Sequence, residues 1–198
     1  KPRAQTQSRG SLYLDATRAR ALAALAGLSP AQWAFKPSPD RWSIAEVLEH
    51  VNVVHELILG PGAAQLDAAP IARNPDAALV DEIIMTRFTD RAAPRSSPEP
   101  ALPASRWTPA ESVERLERNC AALKHRLETA PGLRDHISDS RPLIAITNGQ
   151  YKVMDGVEWI LAAAAHMDRH VLQILEIKAA PGYPPASAGA AVHLAEPL

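Results

Sequence analysis

DGVEWILAAAAHMDRHVLQILEIK, residues 155–178, decides the fold. Asp155 can cap a helix while Glu158, three residues on, reaches back to it. Beyond Gly156 nothing interrupts helical phase until Pro181-Gly182. At about 100° per residue, Glu158, Arg169 and Glu176 project to one side of this helix. Opposite them fall Trp159, Ile160, Ala163, Met167, Val171, Ile174 and Ile177. A long helix with one apolar side needs other helices to cover it.

Those partners are legible on either side. Ser43 with Glu46, and Thr108 with Glu111 and Pro109, repeat the capping pattern. They open a second helix, about Ile44 to Leu59, closed by Gly60-Pro61-Gly62, and a third carrying Val113, Leu116, Cys120, Leu123 and Leu127 to Pro131-Gly132. An earlier helix, about Ser11 to Ala26, places Leu12, Ala16, Ala19, Ala23 and Ala26 at helical spacing and stops at Gly27. The connection from Gly60 to Trp107 is too long for plain loop. Asn74-Pro75 ahead of Leu79, Val80, Ile83, Ile84 and Phe88 predicts an extra helix inside it. Arg91 to Ser105 is proline-rich and is expected to run extended over the surface. Leu143–Thr147, Asn148-Gly149 and Gln150–Val153 suggest a small hairpin. The expectation is an all-α fold: a four-helix bundle with an extra helix between helices 2 and 3. It forms one domain over 1–198, with its core at about 11–179 and an irregular tail from about 180.

The 198 residues carry a formal net charge of −1 with both signs interspersed. That leaves no electrostatic footprint for nucleic acid or an anionic membrane. The lone Cys120 falls on an apolar stripe and reads as a small core residue. No stretch has the length of a membrane span, and residues 1–10 lack the apolar core of a signal peptide. A cytoplasmic protein without nucleic-acid or membrane partners is expected.

Seven histidines are present. His166 and His170 project into the apolar sector of the last helix, one turn apart, where an i, i+4 pair can offer two nitrogens to one ion. On the second helix Glu49, Asn52 and Glu56 project to the wet side, and His50 falls among Val47, Val53, Val54 and Leu57. His55 lies at the far margin of that arc, so the projection favours His50 over His55 as a third ligand. A lone histidine on an apolar face is usually a hydrogen-bonded core residue, and a pair at this spacing also arises by chance. Three inward imidazoles without evident polar partners are harder to accommodate without an ion.

The segments Arg41-Trp42-Ser43-Ile44-Ala45-Glu46-Val47-Leu48-Glu49-His50 and His166-Met167-Asp168-Arg169-His170-Val171-Leu172-Gln173-Ile174 resemble the two signature regions of the DinB/YfiT-like superfamily. Leu28-Ser29-Pro30-Ala31-Gln32-Trp33, leading through Pro37 and Pro39 to Trp42-Ser43, is similar as well. The resemblance spans about Leu12 to Lys178. It implies a four-helix bundle holding a divalent metal, commonly zinc or nickel, on His50, His166 and His170. Relatives include thiol-dependent S-transferases, maleylpyruvate isomerases and proteins described as metal-dependent hydrolases, and they often pair as homodimers. The Gly60–Trp107 insertion and the Ile137–Met154 segment depart from the pattern.

Three neutral imidazoles leave an open coordination position, as catalytic metals need. An ion there lowers the pKa of a water or a thiol, giving hydrolysis, or transfer and isomerisation assisted by a low-molecular-weight thiol. The alternative is a non-catalytic metal- or ligand-binding module. The catalytic residues are not identifiable. Glu46 is the nearest base but reads as a cap, and Asp168, His125 and Glu128 read as surface groups. Trp42 reads as packing at the helix start or as a wall of the site, and His136 and His193 carry no signal.

Overall fold

The computed structural model describes residues 2–92, 97 and 99–186. Four long helices form the bundle: α1 (Pro2–Leu25), α3 (Ile44–Leu57), α6 (Pro109–Thr129) and α8 (Gly156–Lys178). α1 and α3 each pack on both α6 and α8. Three capping boxes set the starts of α3, α6 and α8 where the sequence predicts them: Ser43 with Glu46, Thr108 with Glu111, and Asp155 with Glu158. Between the four helices lie Leu14, Val47, Val51, Leu116, Leu123, Leu127, Leu161 and Met167, all buried.

α1 begins upstream of the predicted start, and its expected stripe faces water. Leu12, Ala16, Ala19, Ala23 and Ala26 are exposed, while Leu14, Thr17, Ala21, Ala24 and Leu25 are buried. An alanine-rich helix has apolar groups all round, so packing against α8 and α6, not composition, selects the buried face.

The Gly60-Pro61-Gly62 segment does not end the second helix. α3 passes through a π turn, Ile58–Gly62, into α4 (Ala63–Asp67). The wider turn tolerates the missing N–H of Pro61. Gly62 is required there, since a Cβ would sit 2.9 Å from the Leu57 carbonyl oxygen.

The extra helix is present as α5 (Ala77–Arg87), packed on α8. Asn74 does not cap it: its Oδ1 accepts from the Asp76 N–H, and its Nδ2 donates to Glu158. Val80, Ile84 and Phe88 are buried, but Leu79 is exposed.

The expected hairpin at Leu143–Val153 is replaced by a helix and a strand with a different partner. Ser140 accepts from the Leu143 N–H and Pro142 occupies the first turn, so 141–146 forms α7 (Arg141–Ile146). Asn148 and Gly149 take positive φ as the exit from that helix. β2 (Val153–Asp155) instead pairs antiparallel with β1 (Ile137–Asp139) and leads directly into α8.

Several residues projected away from the apolar faces of α3 and α8 are buried. Arg106 and the Ala104 N–H cover Glu49, Asn52 bonds to the Ser112 carbonyl, and Arg134 with Asn74 covers Glu158. Arg169 is also buried. Each covering group comes from far along the chain, which a helical projection does not contain. Of the expected irregular tail, residues up to 186 turn back onto α2 (Pro30–Ala34), where Gln32 donates to the Pro184 carbonyl and Phe35 stacks edge-on against Tyr183. The remainder, including His193, lies outside the described residues. No helix among the described residues is long and apolar enough to cross a membrane.

Candidate metal centre

α3 and α8 carry the candidate ligands, and their capping boxes fix where each helix starts and hence which way each imidazole points. Within the α3 box the Ser43 N–H donates to Glu46 Oε2 at 2.7 Å, and Glu46 Oε1 takes Lys36 Nζ at 2.7 Å. Glu46 is thereby committed to the helix start.

His50, His166 and His170 converge. Their Nε2 atoms lie 3.0 Å (His50 to His166) and 3.1 Å (His170 to His166) apart, with ring centroids 4.4–4.9 Å from one another. His50 and His170 are buried, and His166 is partly open to solvent.

The far side of each ring decides what the near side offers. His50 Nδ1 is 2.8 Å from the Ala101 carbonyl oxygen, which can only accept. His170 Nδ1 is 2.8 Å from Gln173 Oε1. Both rings therefore carry their proton on Nδ1 and turn an Nε2 lone pair inward. His166 has one Nε2 between these two lone pairs and can donate to only one of them, and its buried Nδ1 finds no protein partner. Two or three lone pairs aimed at a common point are the donor set of a divalent cation, and outer hydrogen bonds of this kind orient metal-bound histidines. The residues fit a metal.

Burial, with mutual repulsion between the rings, holds the His166 pKa well below its ordinary value. Burial likewise lowers His170 to about 3 and lowers His50 against the opposing hydrogen bond to Ala101. The triad is thus neutral at physiological pH and its lone pairs are available.

His55 is fully buried on another side of α3, its Nε2 3.3 Å from the Ala163 carbonyl, and it does not join the cluster. Asp168 pairs with Arg20 at 3.0 Å. His125 and Glu128 are exposed, and His136 donates to the Ala69 carbonyl. Trp42 packs against the core and stands beside His50, its ring 5.0 Å from the imidazole. Cys120 is buried against Met167, and burial pushes its thiol up to about 12.

Sequence reasoning missed the outer contacts. Arg91–Ser105 is not simply extended over the surface: Glu99–Ala101 forms a 3-10 turn, Ala101 is fully buried, and Ser97 Oγ also approaches His50 Nδ1, at 3.3 Å. A backbone carbonyl leaves no trace in a sequence. Gln173, one turn beyond His170, was the one outer partner whose spacing could have signalled it.

The sequence profile of the DinB superfamily matches residues 13–174, well over half of the chain. The chain belongs to the DinB superfamily. No curated protein and no solved structure matches it. This DinB-superfamily chain also has a cavity of about 270 Å³ near the start of α8, lined by Leu57, Leu66, Leu123, Trp159 and Ile160. None of the three clustered histidines lines it.

Proposed function

We propose that His50, His166 and His170 hold one divalent ion, zinc or nickel, and that the protein is a metal-dependent enzyme acting on a small molecule. The convergence of three Nε2 atoms, two of them with lone pairs directed inward by carbonyl-type acceptors, carries this reading. Three protein ligands leave a position for substrate, in contrast to a closed structural site. Bound there, the ion supplies Lewis acidity and lowers the pKa of a water or thiol. Hydrolysis, or transfer or isomerisation with a low-molecular-weight thiol as cosubstrate, follows from that chemistry. The buried Cys120 thiol leaves the nucleophile to come from outside the chain. Trp42 stands against one side of His50, its ring 5.0 Å away. The lone, buried cysteine supports a cytoplasmic setting.

A second reading, a non-catalytic metal- or ligand-binding module, is favoured by the location of the 270 Å³ cavity away from the histidines. A screen of ester and thiol substrates on metal-loaded protein separates the two. The primary test is elemental analysis of protein purified without a histidine tag. Stoichiometric zinc or nickel is expected, with sharp loss in folded His50→Ala, His166→Ala and His170→Ala. Full metal in His170→Ala, or retention in His50→Ala with loss in His55→Ala, overturns the assignment.

A further inference from the structure

We propose that Arg91 is a positioning residue of the metal centre: acting through Gln173, it selects the His170 tautomer that turns the Nε2 lone pair inward. The inference rests on the triad being a metal site, and it concerns how this chain keeps one ligand ready for the ion.

The need for such a residue comes from the chemistry of the glutamine amide. His50 is oriented by a backbone carbonyl, which accepts and never donates, so its tautomer is unambiguous. Gln173 has two faces. With its oxygen toward His170 Nδ1, the ring carries its proton there and Nε2 is a free donor of electrons. Rotated by half a turn, the amide NH2 donates to Nδ1, the proton moves to Nε2, and that nitrogen can no longer ligate a metal.

Arg91 removes the ambiguity. Its guanidinium carries five N–H donors and no acceptor, so it only donates. Nη1 lies 3.4 Å from Gln173 Oε1, the same oxygen that takes His170 Nδ1 at 2.8 Å. An NH2 group in that place would set donor against donor on the Arg91 side, where the guanidinium has no acceptor to offer, even though the His170 ring could adapt by changing tautomer. The guanidinium is itself clamped by Glu176, with Nε to Oε1 and Nη2 to Oε2 both at 2.7 Å. This two-pronged ion pair fixes the plane of the fork.

His170, Gln173 and Glu176 recur at three-residue steps along α8 and present a single ladder to one arginine. Arg91 follows α5, outside the four long helices. The long connection between α3 and α6 therefore reaches the centre twice, through the Ala101 carbonyl on His50 and through Arg91 on His170.

The test uses metal-free, 15N-histidine-labelled protein at mildly alkaline pH, with long-range proton–nitrogen correlation of the imidazoles, alongside zinc affinity by chelator competition. The unmodified protein should show His170 protonated at Nδ1. Arg91→Met should add the Nε2-protonated form and weaken zinc binding by about 10–100-fold, the usual consequence of losing an outer-sphere partner. Glu176→Gln, which unclamps the guanidinium, should move both readouts the same way by less. The double variant Arg91→Met/Gln173→Glu should restore the Nδ1 tautomer, because a carboxylate offers no donor face. A folded Arg91→Met protein with unchanged tautomer and zinc affinity overturns the proposal, as does failure of the double variant to restore the tautomer. If the unmodified protein takes up no zinc, the metal reading fails, and the tautomer comparison still decides the role of Arg91.

Discussion

His55 provides the sharpest separation of a structural histidine from the candidate ligands, through replacement by leucine, a residue of similar volume. Its ring is fully buried, Nε2 bonds to the Ala163 carbonyl, and Nδ1 has no partner. Burial lowers its pKa from 6.5 to about 4, opposed by the Ala163 bond. Below 6.5 the unfolded chain takes up a proton that the folded ring refuses, so acid favours unfolding through this group. Its contribution to stability is complete above 6.5 and is lost as pH falls toward 4. At about 1.4 kcal/mol for each pH unit, the gap amounts to about 3 kcal/mol. Urea unfolding of metal-free protein should show His55→Leu within about 1 kcal/mol of the parent at neutral pH, because one weak hydrogen bond and one unpaired nitrogen are lost together. On acidification to about pH 4 the variant should gain about 3 kcal/mol relative to the parent. Its zinc or nickel content should be unchanged. Parallel stability curves for the two proteins across this window would refute the burial argument, and loss of metal would make His55 a ligand.

Cys120→Ala should leave any turnover intact at a cost of about 1 kcal/mol in stability, since the thiol is buried with its pKa pushed up; loss of turnover in the folded variant counts against an external nucleophile. Arg134 touches the buried carboxylates of Asp81, Asp155 and Glu158, so Arg134→Met should lower stability by about 3–5 kcal/mol in urea titration. A change under about 1 kcal/mol would show that the three acids do not depend on it. The family resemblance leads us to expect a homodimer, so sedimentation at tens of micromolar should give a dimer mass, and a monomer there contradicts that expectation.

What the sequence disclosed follows the range of the interactions concerned. Capping pairs act over three residues, so the starts of α3, α6 and α8 were readable from Ser43, Thr108 and Asp155. His166 and His170 share one helix, so their common face was readable too, and the contrast between His50 and His55 came from the apolar arc of α3. The alanine face of α1 was not readable, because alanine does not distinguish a wet side from a dry one. Asn148-Gly149 misled because positive φ serves a helix exit as well as a hairpin turn. The burial of Glu49, which a projection places on the wet side, and of Glu158 is not legible, because their covering groups, Arg106 and Arg134, are supplied by the tertiary fold.

The start of α8 has a consequence for how the chain can change in length. Pairing of Val153–Asp155 with Ile137–Asp139, the Asp155–Glu158 box and the Gly156 N–H on the Leu133 carbonyl at 2.7 Å pin the first turn from three directions. With that end immobile, one residue inserted or deleted between Asp155 and His166 turns both imidazoles about 100° around the helix, away from His50. The same change beyond Lys178 moves no ligand. Drift in chain length among descendants of this sequence should therefore collect after α8 and be purged from residues 155–170, whatever substitutions accumulate there.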